Sequence, residues 1–231
     1  MSEMKGTCSG WIPHVHVDCA DWVFLPRSRS RIRAFLKAGG NPEHIIIEHY
    51  VHDAGGLDPL WNSTAFLKWT QDLKDFGVRY IVAPNFSMWA DAPVVLQLHS
   101  IYKTAVTTRD YADSGFKVIP DLQVESPTTG HIAIQLWPRD LPVYMLGLVA
   151  GDKTVPYTQR LLQESFKRIR NYTISCKRML LWASQRRWAD NWNRECSIPA
   201  DWVRSEMHLR RTLLEFLKKN KKPSQKSEVP V

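Results

Sequence analysis

Hydrophobic and polar positions along the chain follow two rhythms. Short apolar, β-branched runs alternate with longer stretches whose apolar residues recur every three to four positions. The short runs fall at His44–Val51, Arg79–Ala83, Phe116–Ile119, Leu141–Val149 and Met179–Ala183, and are read as buried strands. The longer stretches predict helices. One is short, from about Arg29 to the Gly39-Gly40 pair; the others are Ser63–Phe76 before Gly77, Val94–Tyr111 before Gly115, roughly Pro156–Asn171, and Asp201–Lys219. Within Val94–Tyr111, the residues Val94, Leu98, Ile101, Tyr102 and Ala105 share one face at helical spacing. Asp91-Ala-Pro93 opens that helix, Asp91 as a cap for free amide groups and Pro93 where a missing N–H costs nothing. The order β-α-β-α-β-x-β-α-β, with x irregular, predicts an α/β fold. It is a mainly parallel sheet or an incomplete (β/α) barrel, with helices outside and a basic C-terminal helix.

The stretch from Val78 to Asp121 reads as strand, polar loop, helix, turn and strand. If its two strands are parallel and share a sheet, Asn85, Ser87 and Asp121 emerge at one carboxyl edge. Open α/β sheets and barrels place their ligands there. Polar residues at strand ends also do ordinary turn and cap work, so the pattern alone does not name a reaction.

The chain of 231 residues, 44 % hydrophobic, is long enough for a well-buried core. The expected division is an α/β domain over 1–184, a basic Trp-rich helical extension over 185–222 and a disordered tail over 223–231. Ten Trp residues are available as core, interface anchors or stacking platforms. Cys8, Cys19, Cys176 and Cys196 are widely spaced, and no signal-peptide pattern precedes them, so free thiols in a reducing cytoplasm are expected. No apolar run approaches the roughly 18 residues of a membrane span.

Charge changes this picture. Between Lys153 and Lys222 there are 17 Lys+Arg against 6 Asp+Glu, a balance of +11, which leaves −3 of the chain's +8 for the remainder. A cationic third of this kind is the footprint of a surface that meets phosphate backbones or another acidic partner, or a solvated basic surface. Arg168, Arg170, Lys177, Arg178, Arg186, Arg187, Arg210 and Arg211 are the candidate phosphate contacts. Trp188 and Trp192, with Trp202 beyond them, are candidate platforms for exposed bases.

Other motifs carry less. His14-Val-His16 puts two imidazoles on one side of an extended segment, the arrangement that holds a divalent ion in rolling-circle and relaxase nucleases, with a tyrosine as nucleophile. His14 and His16 are thus the metal candidates, with a divalent ion as the only cofactor implied. A zinc set of both with Cys8 and Cys19 fits no common spacing. His52-Asp53, beside Ala54-Gly55-Gly56, is a second acid/base pair or a turn. Gly151-Asp-Lys-Thr154 lacks the preceding glycines of a phosphate-binding loop.

The central stretch resembles a family of phages and other mobile elements, known as domain of unknown function 4417. The likeness rests on Pro84-Asn85-Phe-Ser87, Asp91-x-Pro93, then Gln97 and Tyr102-Lys103 in the helix. Gly115, Val118-Ile-Pro120, Gly147 and Leu180-Leu181 continue it. It covers roughly Ile45 to Ser184 and departs at Trp182-Ala-Ser, where a plainer Val-Tyr-Gly is expected. The resemblance implies an α/β fold and a mobile-element setting. It marks Asn85, Ser87, Asp91, Gln97, Tyr102 and Asp121 as the catalytic candidates.

Three functions stay open at this point. The first is a phage or plasmid protein that binds nucleic acid in replication, partition or control of the element. The second is a metal-dependent nuclease or hydrolase at the strand-end edge. The third is an inhibitor that docks on host or competing-element machinery.

Overall fold

The computed structural model describes residues 22–50, 57–61, 63–88, 91–123, 126, 128–147, 164, 166–183, 186–196 and 198–204. Among them strands and helices alternate without exception. They run β1 (Val23–Pro26), α1 (Arg29–Lys37), β2 (Ile45–Glu48), α2 (Ser63–Asp75), β3 (Tyr80–Val82), α3 (Val94–Asp113), β4 (Lys117–Ile119) and α4 (Gly130–Ile134). Then follow β5 (Val143–Gly147), α5 (residues 166–172), β6 (Arg178–Ala183), α6 (Arg187–Glu195) and β7 (Ala200–Arg204).

Every strand pairing is parallel and every neighbour is next in sequence. β1-β2-β3-β4 form one sheet and β5-β6-β7 a second. The two join where Asp121 bridges Met145, with Met145 N–H donating to Pro120 O at 2.7 Å and Leu122 N–H to Met145 O at 2.8 Å. A side chain's direction alternates along a strand, and the two faces are sorted accordingly. Leu25, Ile47, Ile81, Val118, Leu146 and Leu181 pack outward in a cluster that includes Phe35, Leu73, Tyr111 and Trp192 of the helices. Phe24, Ile46, Val82, Ile119, Val143, Met145, Leu180, Trp182 and Val203 form a separate cluster drawn from all seven strands and from no helix. A sheet whose inner face packs only on itself is curled. The fold is an incomplete (β/α) barrel with helices outside. No pairing of β7 with β1 is made among the described residues.

Four expectations need correction. Asp201 to Arg204 is strand, not the start of a helix: Ala200–Arg204 pairs with β6 as Leu181↔Trp202 and Trp182↔Val203. The cause is tertiary. Arg178 of β6 grips both carboxylate oxygens of Asp201, one of them with Nη2 at 3.1 Å, and Val203 joins the inner cluster. The basic residues beyond Arg204, Arg210 and Arg211 among them, lie outside the described residues.

The buried face of α3 is not the apolar one. Gln97, Ile101, Thr104, Thr107, Thr108 and Tyr111 are buried, whereas Val94, Leu98 and Tyr102 stay 46 %, 39 % and 58 % exposed. Gln97 explains the rotation. Its Nε2 donates to Ala92 O at 2.8 Å, and its Oε1 accepts from Ser126 Oγ at 2.6 Å and Thr129 Oγ1 at 2.5 Å, bonds that only a buried position supplies. Nor does Asp91 cap this helix: Pro93 holds the N-cap position and makes no side-chain cap bond.

Trp192, expected as a platform for bases, is fully buried under α6, edge-on to Phe166 and bonded through its indole N–H to Ile198 O at 2.7 Å. Of the two described cysteines, Cys176 is half-buried with its thiol donating to Arg178 O at 3.3 Å, and Cys196 is buried. Among the described residues no helix is long and apolar enough to cross a membrane.

Candidate functional site

Because β3 and β4 are parallel neighbours, the turns after them open on the same side, where the carboxyl ends of β2, β5 and β6 also lie. Asp121 stands at the centre of this carboxyl mouth, 1 % exposed. Its Oδ2 accepts from Asn85 Nδ2 at 2.6 Å and its Oδ1 from Tyr50 Oη at 2.9 Å. Its backbone carbonyl is held by the indole N–H of Trp137 at 3.0 Å. Gln123 in turn donates to Asn85 Oδ1, and to Phe86 O at 3.1 Å, so the amide of Asn85 is fixed with its NH2 toward the carboxylate.

A second carboxylate belongs to the same mouth. Glu48 ends β2 in the alternating row that carries Ile46 to the inner cluster, and it is fully buried. Its Oε2 accepts the backbone N–H of Tyr50 at 2.8 Å. Tyr50 thus ties both carboxylates together, N–H to one and O–H to the other. Its ring lies flat on Trp182, centroids 4.1 Å apart and planes 14° apart.

Just outside this layer His49 is enclosed between the sheet and the helices. Nδ1–H donates to Val82 O at 2.8 Å and Nε2 accepts from Tyr111 Oη at 3.1 Å. Burial pushes its pKa down to about 3, with nearby Arg27 adding to the drop and the Val82 bond opposing it, so the ring is neutral. Burial likewise raises the Tyr111 hydroxyl, which stays protonated as a donor.

Of the catalytic candidates, Asn85 and Asp121 come into direct contact at the mouth. Ser87 is half-buried, its backbone oxygen accepting from Ser100 Oγ at 2.8 Å. Asp91 lies exposed in the turn before α3, and Gln97 is wholly occupied in tying α3 to the Ser126–Thr129 turn. Tyr102 faces solvent against the edge of Trp61, ring centroids 5.7 Å apart. His14 and His16, and with them His52 and Asp53, lie outside the described residues. Among the described residues no three His, Cys, Asp or Glu side chains are arranged to hold a metal.

The cationic candidates divide between the two ends of the barrel. Lys177 and Arg178 sit at the amino end of β6, where Arg178 is bound to Asp201, and Arg168 and Arg170 lie late in α5 just before them. Arg186 is exposed just past the carboxyl end of β6 and faces Asp190 at 3.8 Å; Arg187 begins α6 beside it. A hollow of about 500 Å³ lies at the amino end, lined by Pro42, Lys74, Gly77, Arg79, Gly115 and Phe116.

Glu48, Tyr50, Gln123 and Trp182 are not singled out by sequence reasoning. Glu48 leaves one signal, a carboxylate closing an otherwise wholly apolar strand, Ile45-Ile-Ile-Glu48. The profile of a domain of unknown function, DUF4417, matches residues 31–178, which takes in the mouth from Glu48 to Gly147. No curated protein matches the chain.

Proposed function

The chain belongs to the DUF4417 family, a domain of unknown function, and from that premise we propose that it binds nucleic acid and acts on it hydrolytically at the carboxyl mouth of the barrel. The observation that carries this reading is the Asp121 network: a buried carboxylate held on both oxygens by Asn85 and Tyr50, with the buried Glu48 joined through Tyr50. Barrel enzymes gather their reacting groups at this end. A carboxylate fixed there is suited to general acid/base work or to one bond of a divalent ion's shell, completed by substrate. Arg186 and Arg187, beside the mouth in sequence, supply cations for the phosphate backbone. Replication, partition or control of a phage or plasmid is the context proposed for this activity.

Asp121→Asn tests the reading. The substitution keeps the size of the side chain and removes its charge, so folding is expected to persist, as read by an unchanged denaturation midpoint. Metal-dependent cleavage on a denaturing gel is expected to fall about 100-fold or more. Cleavage at the wild-type rate would place the chemistry elsewhere.

The exposed apolar face of α3 favours a second reading, docking on a protein. Val94, Val95, Leu98 and Tyr102 line it, with Trp61 against Tyr102. Recovery of a stable complex that nuclease treatment leaves intact, and that Val95→Glu abolishes, is the expected result if this face is the working surface.

A further inference from the structure

Trp182 is 5 % exposed, inward-facing at the carboxyl end of β6, and its indole Nε1–H has no hydrogen-bond partner among the described residues. Buried donors are nearly always paired, so an orphaned one at the mouth of a barrel marks where an acceptor arrives with a ligand. On the face of the same indole lies Tyr50, parallel to it at 4.1 Å. Tyr50 reaches this place only because residue 147 is glycine: a Cβ there would stand 2.4 Å from Cε1 of the Tyr50 ring. The far end of the ring, its hydroxyl, rests on Asp121 Oδ1 at 2.9 Å. Tyr50 itself is half-buried, whereas Trp182 and Asp121 beneath it are buried.

A flat ring is therefore held between an aromatic platform, a bare backbone and a carboxylate that takes a proton donor from the ring's edge. A nucleobase has the same three properties: a face that stacks, a thin profile, and N–H donors on its edge. We infer that Trp182, Gly147 and Asp121 form the seat of one unpaired nucleobase, and that Tyr50 occupies this seat when no base is bound. This rests on the nucleic-acid reading above and names what the mouth recognises. When the base enters, Tyr50 swings out and a base N–H replaces its hydroxyl on Oδ1, while Asn85 keeps Oδ2. The Trp182 N–H lies in the plane of its own ring, so its acceptor is a sugar or phosphate oxygen at the side of the stack, not the base itself.

The test uses the full chain, a labelled single-stranded oligonucleotide and the same oligonucleotide with abasic sites, in fluorescence anisotropy at low salt. Nucleoside monophosphates serve as competitors. Tyr50→Ala empties the seat and is expected to bind the base-bearing strand about tenfold more tightly, with abasic binding unchanged. Trp182→Leu is expected to lose the discrimination between the two strands, a drop of about tenfold for the base-bearing one. Tyr50→Ala trims a half-buried side chain, and an unchanged denaturation midpoint for it keeps its binding result decisive even if Trp182→Leu folds poorly.

Base-bearing and abasic strands binding alike to the wild type and to Tyr50→Ala, with no competition by monophosphates, would overturn the seat while leaving nucleic-acid binding in place. Monophosphates that bind in a Trp182-dependent way, with no strand bound at all, would keep the seat, make free nucleotides its source and remove the wider reading. No binding of strand or monophosphate by any form would overturn both.

Discussion

Trp192→Ala is expected to lower the free energy of unfolding by about 3–5 kcal/mol, read as a fall in the midpoint of chemical denaturation. The indole is fully buried, meets Phe166 edge-on with centroids 4.8 Å apart, and satisfies Ile198 O at 2.7 Å. Alanine removes the packing, leaves a cavity between α5 and α6, and orphans a carbonyl just before β7. Trp192→Phe keeps an aromatic ring against Phe166 but loses the hydrogen bond and part of the indole's volume, so its expected loss is smaller than that of alanine, about 1–3 kcal/mol. A residue that served as a platform for bases would behave in the opposite way. Its replacement would leave the midpoint unchanged and weaken oligonucleotide binding.

The second large effect is on acid stability and belongs to His49. Its pKa is about 3 in the folded protein, against about 6.5 in an unfolded chain. Above pH 6.5 the ring is neutral in both states and its contribution is fully present. As pH falls from 6.5 toward 3, the unfolded chain takes up a proton that the folded one refuses, and stability drops by up to about 1.4 kcal/mol for each pH unit. Burial is the main cause. Of the groups around the ring, the Val82 O bond opposes the effect and Arg27 adds to it, while Tyr111 Oη sits 3.1 Å from Nε2, where a neutral ring nitrogen accepts its proton. In His49→Gln, denaturation measured from pH 7 to pH 4 is expected to lose one proton's worth of this slope. An unchanged slope would show that His49 is accessible to protons in the folded state.

Much of the scaffold is legible because parallel barrel strands are buried on both faces and read as apolar runs. Ile45–Glu48, Tyr80–Val82, Lys117–Ile119, Val143–Gly147 and Arg178–Ala183 all lie within or one residue from the predicted runs. The helix boundaries of α1, α2 and α3 follow from their glycine stops; Gly39, Gly77 and Gly115 all have positive φ. Two strands escape the pattern. β1 is the four-residue Val23-Phe-Leu-Pro26, whose apolar run from Trp22 was too short to stand out. β7 carries Asp201 inside a stretch with helical spacing, and only its partner Arg178, 23 residues earlier, makes a strand of it.

The face of α3 was misjudged for a related reason. Periodicity counts apolar residues, but Gln97 and the threonines are buried because of partners distant in sequence. The mouth was half legible. Asn85 and Asp121 follow from strand ends, whereas the Tyr50–Trp182 stack joins residues 132 positions apart and leaves no local trace.

The central claim, that this barrel engages nucleic acid, is tested most directly by fluorescence anisotropy of a labelled single-stranded oligonucleotide across a salt series. With two or three phosphate contacts from Arg186, Arg187 and their neighbours, affinity is expected to fall about tenfold between 50 and 200 mM salt. Arg186→Ala is expected to flatten that dependence by about one contact. Absence of binding at the lowest salt, or binding that salt does not weaken, would contradict the account.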